Sequence, residues 1–435
     1  MKVLFVGDNR NALNWGRGAS IALHELLSSR FEITGTVSGD SFVLSTSEAG
    51  YVGTLMPGAY YRFFRRAWQR SSRRIFGWYI RIERAFGAHD FIADDPVKSV
   101  ENLLAHKHRY PALAEIYEHA SMADLLVVDG DGDIIFTTPP RRQTLFLLAM
   151  IELGIQLGKP VFLVNTMISD CPLTGKNRET IKAAKRLFAQ CRTVAVRDPE
   201  SLEYVQKEMP EAVSVCLPDS LFSWFPRFST CSSRPPINGD FLLPYPERGE
   251  FWGKLDFSKP YICLGGGGLA ATQTSKAIQI YCKLVEAIEK LGYPVYLTEN
   301  DQPDFFLRQV AREKGVGIVP VDSPILMCGA VLAHARVFIS GRYHPSIFAS
   351  LGGTPCIFLG SQAHKMASLS RVLDYDLKRE FDAFPNDAEI EEIVSTARKY
   401  LNGGDDLRKR IKEVASVRCT EASSLPELIA RHMNG

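Results

Sequence analysis

One stretch, VFISGRYHPSIFASLGGTPCIFLG from Val337 to Gly360, limits what this chain can become. Val337 to Ser340 is apolar with β-branched and aromatic residues, the pattern of a short buried strand. Gly341 breaks it. Pro345 suits the first turn of a helix that carries Ile347, Phe348 and Leu351. Gly352 and Gly353 stop that helix, and Pro355 to Leu359 reads as a second buried strand. The succession predicts an α/β fold, with Arg342 and His344 between the C-terminal end of a strand and the N-terminal end of a helix. Parallel sheets bind ligands at that edge, and a helix N-terminus favours anions. An arginine and a histidine there point to phosphate or carboxylate recognition, although either is also an ordinary loop residue.

The first half repeats the pattern. Lys2 to Val6 is a strand, followed by GDNRNALNWGRG and a helix from Ala19 to Leu27. The loop has neither the Lys-Ser/Thr of a Walker loop nor GxGxxG. Gly16-Arg17-Gly18 permits backbone N–H groups to approach an anion or a sugar hydroxyl, and equally permits a plain turn into the helix. Asn14, Trp15 and Arg17 are candidate acceptor-binding residues on the first reading. Phe31 to Val37 is a second strand. A further strand through Val128 ends in Asp129-Gly130-Asp131-Gly132-Asp133. The alternating aspartates resemble part of a calcium loop, but the bidentate glutamate is absent, so no metal site is expected. Asp129 or Asp131 is instead a candidate to take a proton from a sugar hydroxyl. Pro160 to Asn165 is another strand, with Asn165 at its end as a further acceptor candidate. Thr193 to Val196 ends in Arg197-Asp198-Pro199, where Arg197 is either half of a local ion pair or a second cation at a strand end. Val213 to Leu217 closes in Pro218-Asp219-Ser220.

At 435 residues the chain exceeds one ordinary core, so two domains are expected. Ser229 to Ser258 is dense in Pro, Gly and Ser and marks a linker. It divides an acceptor-side domain, 1–228, from a donor-side domain, 259–402. The charged helical tail, 403–435, is expected to pack back on the first domain. The second domain restarts with a strand from Pro260 to Leu264 and a run of four glycines, of which Gly266 and Gly267 are candidates for close backbone approach to an anion. A helix from Thr274 to Leu291 follows, then a strand Val295 to Thr298 and a helix Phe305 to Lys314. Lys365, after the last strand, is a third candidate anion-binding cation.

A net charge of +2 gives no argument for nucleic acid, and no apolar run approaches bilayer-spanning length. MKVLFVGDNR lacks the apolar core of a secretory signal, so a cytoplasmic protein is expected. Nine scattered cysteines contain no CxxC pair, which argues against zinc. Tyr60 to Arg84 stands apart, with eight arginines against Glu83 and interleaved aromatics. Contact with an anionic membrane surface or a lipid-linked substrate is one reading. An amphipathic helix with solvated arginines is another, and nucleic acid, without a supporting motif, is a third.

Two β/α/β domains, a linker and a terminal helix fit a GT-B-like arrangement of two Rossmann-like domains with a cleft between them. The segments DNRNALNWGRGAS, VVDGDGDII, VAVRDPESLEYV with PDSLF, and SGRYHPSIFASLGGTPCIFLG with HKM occur in that order. Together, from about Lys2 to Met366, they resemble the polysaccharide pyruvyl transferase family. GDGD and the tyrosine of RYH depart from that family's usual pattern. The resemblance implies transfer of pyruvate from phosphoenolpyruvate to a sugar as a cyclic ketal, with no cofactor and no metal. It makes Arg197, Arg342 and Lys365 ligands of the donor's carboxylate and phosphate, His344 the acid for the methylene carbon, and Asp131 or Asp129 the base. A GT-B glycosyltransferase using a nucleotide sugar is the alternative. The implied partners are the donor and an acceptor sugar, lipid-linked if residues 60–84 touch a membrane. Oligomeric state is left open.

Overall fold

The computed structural model describes residues 1–44, 89–229, 255–361, 363–375 and 380–434. Two parallel sheets organise them. The first runs β2-β1-β5-β6-β7-β8, with β1 Lys2–Val6, β2 Glu32–Val37, β5 Leu125–Phe136, β6 Val161–Asp170, β7 Thr193–Val196 and β8 Ser214–Cys216. Short strands β3 and β4 (Val43–Leu44 and His89–Asp90) pair separately. The second sheet runs β11-β10-β9-β12-β13, with β9 Ile262–Gly267, β10 Val295–Thr298, β11 Ile318–Val319, β12 Val337–Gly341 and β13 Cys356–Phe358. β6 is buried over nearly its whole length, as a strand covered by helices on both faces must be.

The order of each sheet reverses once, between β1 and β5 and between β9 and β12. A crevice opens beyond the C-terminal ends of the strands at such a reversal. Residues 337–360 form β12, a fully buried helix Tyr343–Leu351 and β13.

Three strands run further than their sequences indicate. β5 does not end at Asp129 but continues to Phe136, β6 continues past Asn165 to Asp170, and β9 includes Gly265–Gly267. Glycine and aspartate normally interrupt strands, and here the interruption is a bulge. Asp131 pairs with Thr166 and Ile134 with Ile168, so β5 spends one residue more than β6. Likewise Leu163 pairs with Val194 and Thr166 with Val196. Asp131 (φ 41°) and Asn165 (φ 52°) take the left-handed backbone at these bulges, which re-aim side chains at sheet edges. At Gly130 a Cβ would lie 2.2 Å from Thr166 Oγ1, so glycine is what lets β5 approach β6 there. The expected helix from Phe305 divides into a 3₁₀ turn, Gln302–Phe306, and a helix, Leu307–Lys314.

The lobes are joined by an apolar cluster rather than by the linker alone. Trp15 and Ala19 from the first lobe meet Phe222 and Trp224, and then Phe338 and Phe348 of the second. Backbone contacts add to it: Trp15 N–H donates to Asn300 O at 2.9 Å, and Asn14 bridges Asp301. The tail is helical over Asp387–Ser423, as two helices that meet at a kink where Gly404 leaves the helical backbone (φ 52°), and Leu425–Asn434 follows. Leu425, Ile429 and Ala430 pack with Val3, Phe5 and Phe162 of the first sheet. Residues 60–84 and most of the expected linker lie outside the described residues.

Candidate active site in the interlobe cleft

A cavity of about 400 Å³ lies where the two strand-order reversals face each other. β5 and its bulge supply Asp131, Gly132 and Asp133. Arg197 follows β7, Arg342 and His344 follow β12, and Lys365 opens the helix after β13.

At its centre Arg197, 1% exposed, donates from Nη1 to Asp131 Oδ1 at 2.7 Å and to Asp219 Oδ2 at 2.9 Å. His344 Nε2 stands 3.2 Å from the same Nη1 and 3.4 Å from each of those two carboxylates. Unprotonated, Nε2 can accept from Arg197; protonated, it can donate to Asp131 or Asp219 instead. That is the placement of a group that gives and takes a proton. The Tyr343 ring lies 4.3 Å from the Arg197 guanidinium and supports the arginine by cation–π contact. Burial alone would lift the Asp131 carboxyl, but His344, Arg197 and Lys365 hold it well below the usual carboxylate range. Asp219 is likewise kept low by His344 and Arg197 against its burial.

Asp129 does not share that role. It lies behind the bulge, 2% exposed, where its Oδ1 accepts from Asn165 Nδ2 and from the Asp131 amide, both at 3.2 Å. Burial, then the charge of Asp131, push its pKa well above the ordinary value. Asn165 faces inward too, its Oδ1 taking the Ser220 amide at 2.9 Å, and it does not line the cavity. Trp15, fully buried between the lobes, is a packing residue rather than an acceptor ligand. Arg17 donates to Ser323 O at 2.7 Å across the lobes and is absent from the cavity wall, whereas Asn14 lines it.

Arg342 also departs from expectation. It lines the cavity, but its guanidinium forks onto Asp304, with Nε to Oδ2 at 3.1 Å and Nη2 to Oδ1 at 2.6 Å, and Nη1 reaches Asp301 at 3.3 Å. The guanidinium fork that would grip a carboxylate or phosphate of a donor is occupied from within the protein. Gly266 explains how: a Cβ there would lie 2.2 Å from Asp304 Oδ1, so glycine makes room for the carboxylate, not for a ligand. Gly267 backs onto Gly341, and Gly268 lines the cavity. Lys365 is less committed, and so is Arg141, a residue the sequence did not single out. Lys365 Nζ donates to Gly132 O at 3.3 Å, and Arg141 reaches Asp133 at 3.2 Å. Burial, then Arg197, press the Lys365 pKa down to about 8. Among the described residues no group of three or more His, Cys, Asp or Glu is arranged to hold a metal ion, and no helix is long and apolar enough to cross a membrane.

Two parallel α/β lobes with a polar cleft at their facing strand ends define a GT-B-like protein. Solved structures share the fold. The chain matches UDP-GlcNAc 2-epimerase from Neisseria meningitidis bound to UDP-GlcNAc (9% identity, 100% of this chain and 99% of that one, TM-score 0.52). It also matches Os79 from O. sativa in complex with UDP (12%, 99% and 100%, 0.53) and Arabidopsis thaliana UGT89C1 complexed with UDP-L-rhamnose (11%, 99% and 98%, 0.51). No curated protein matches the sequence. The chain belongs to the polysaccharide pyruvyl transferase family, whose profile matches residues 51–362, and it is therefore a transferase.

Proposed function

We propose that the protein transfers the pyruvyl group of phosphoenolpyruvate to two hydroxyls of a sugar in a surface-polysaccharide precursor, forming a cyclic ketal and releasing phosphate. The observation that carries this reading is the meeting of His344 Nε2 and Asp131 Oδ1, 3.4 Å apart beside Arg197 on the cavity wall. His344 protonates the methylene carbon, and the developing cationic centre at C2 is attacked by one hydroxyl while Asp131 accepts its proton. Loss of phosphate and attack by the second hydroxyl close the ring. Of the two hydroxyl protons one ends on the new methyl group and the other on phosphate, so the site relays protons without net gain. The arginines and aromatics of 60–84 support a lipid-linked acceptor and work at the cytoplasmic face of an anionic membrane.

The test is phosphate release from phosphoenolpyruvate over a panel of lipid-linked and free oligosaccharides, with nucleotide sugars run in parallel. Acceptor-dependent phosphate release is expected. Nucleotide release from a nucleotide sugar, with phosphoenolpyruvate untouched, would replace this reading by glycosyl transfer.

A pH dependence follows from Lys365, which faces Arg197, Asp131, Asp133 and Arg141. With its pKa at about 8 it is cationic below that pH and neutral above it. The phosphate ester is fully ionised well below that, its second pKa being about 6. The KM for phosphoenolpyruvate is therefore expected to rise as pH passes 8, by up to roughly tenfold per unit. A KM flat from neutral to strongly alkaline pH would remove Lys365 from the donor site.

A further inference from the structure

Lys365 belongs to the second lobe, yet its head ends on the first, at Gly132 O. The helix it opens, Lys365–Val372, lies against the first-lobe helix Pro199–Glu208. Three positions make polar contacts there, and their spacing of four and then three residues puts them on one helical face. His364 Nε2 stands 3.1 Å from Asp198 Oδ1, Ser368 Oγ donates to the same oxygen at 3.2 Å, and Arg371 reaches Glu200 at 2.7 Å. The Arg371 pair is half exposed and contributes little. Asp198 is different. It is 1% exposed and also takes the Ser201 amide at 2.8 Å and the Ser201 hydroxyl at 2.9 Å. Ser201 Oγ lies 3.3 Å from His364 Nε2, but it is fully buried and holds the Ile168 amide, so the trio is not a nucleophile with its base.

The two residues that meet here each adjoin a cation of the cleft. Asp198 follows Arg197, and His364 precedes Lys365. Neither Asp198 nor His364 lines the cavity. Arg197 is fixed within the first lobe, its amide donating to Thr166 O at 2.9 Å and its Nη1 to Asp131 and Asp219. Lys365 has no such frame. Its head rides on a flexible four-carbon stem. It also follows a turn in which Ala363 takes the left-handed backbone (φ 64°), a conformation that a residue with a Cβ keeps only where its surroundings hold it. We propose that His364, docked on Asp198, is a positioning residue that carries Lys365 across the cleft to the first lobe. Burial would raise the Asp198 pKa, but the hydrogen bond and charge of His364, with Ser201, hold it below the ordinary value. An ionised carboxylate only accepts, so His364 donates from Nε2. That Lys365 then meets the donor of a pyruvyl transfer rests on the function proposed above, whereas the interlobe clasp does not.

Amide hydrogen exchange and steady-state kinetics on the full chain test the clasp. Asp198 also caps the helix Pro199–Glu208, so the substitutions are made at His364, which is 23% exposed and whose side chain caps nothing. With no substrate present, His364→Ala is expected to speed exchange across Lys365–Val372 severalfold. His364→Gln, which keeps an N–H near the position of Nε2, is expected to exchange as the wild type does. In turnover, His364→Ala is expected to raise the KM for phosphoenolpyruvate roughly tenfold, the scale of one charge-assisted hydrogen bond, with kcat lowered only a few-fold. His364→Gln is expected to restore most of that loss. In a Lys365→Met background the alanine substitution is expected to change KM less than about twofold, because a residue that acts through Lys365 has nothing left to place. A contact that merely stabilises the lobes would give the same factor in both backgrounds. Unchanged exchange in His364→Ala, an unchanged KM, or equal losses with and without Lys365 overturns the proposal. If nucleotide sugars alone turn over, the pyruvyl-transfer reading falls, and the exchange result with the same cycle on that donor's KM still decides the clasp.

Discussion

His344→Gln is expected to lower kcat by about 10²–10⁴-fold while leaving the KM for phosphoenolpyruvate within a few-fold. Glutamine keeps a polar group near the position of Nε2 but has no proton to give at neutral pH. In the proposed pyruvyl transfer the donor's carbon gains a proton before C2 becomes electrophilic, so the loss falls on the chemical step rather than on binding. The surroundings limit repacking: His344 is 8% exposed, and a Cβ at Gly16 would lie 3.0 Å from its Nδ1. Asp131→Asn is expected to cost a similar factor, because in the proposed scheme it removes the carboxylate that accepts the hydroxyl proton. The double variant is expected to fall little below the worse single one, since groups that act as a unit lose their function once. Steady-state phosphate release on the three variants reads all of this. Wild-type kcat in His344→Gln, or full multiplication of the two losses, would show that the proton takes another route.

The fold was legible where periodicity and chain-breaking residues agree. Gly341, Pro345 and the Gly352-Gly353 stop delimit β12 and its helix within a residue or so. The site was legible only as a set of strand ends. Arg197, Arg342, His344 and Lys365 were each picked as polar residues just past an apolar run, and the topology brings all four to one cavity. What each one touches was not legible, because the partners are remote in sequence. Asp304 comes from the turn after β10, and a Pro-Asp-Phe-Phe run carries no sign that its carboxylate faces an arginine 38 positions on. Asp219 was visible as a carboxylate ending a strand, but its reach to Arg197 and His344 depends on how the lobes dock. Trp15 was misjudged for the same reason. A tryptophan in a loop at the cleft edge faces either ligand or the other lobe, and only the packing with Phe222 and Phe348 decides. The bulge at Asp131 was hidden by its own composition, since alternating Gly and Asp read as the end of a strand.

Asp304→Ala is expected to destabilise the protein by about 3 kcal/mol, seen as a melting temperature lower by several degrees. Asp304 is fully buried and takes two hydrogen bonds from Arg342, whose side chain is 17% exposed, as well as the Asn300 amide at 3.2 Å. Truncation leaves a largely buried guanidinium with Asp301 alone, at 3.3 Å. Breaking one side of such a pair costs far more than the pair contributes, because the stranded charge has lost its water as well as its partner. Removing both charges should therefore recover much of the loss, and Asp304→Ala combined with Arg342→Met is expected to melt above Asp304→Ala alone. That rescue separates two roles for Arg342. If it serves chiefly to hold Asp304 and the start of the Tyr343–Leu351 helix, the double variant regains stability and binds inorganic phosphate as the wild type does. If Arg342 exchanges Asp304 for the donor during turnover, Arg342→Met alone weakens phosphate and phosphoenolpyruvate severalfold, and no second substitution at 304 restores them. Melting curves and phosphate titrations on the three variants decide between the two, and a single Asp304→Ala variant as stable as the wild type would show the buried fork to be dispensable.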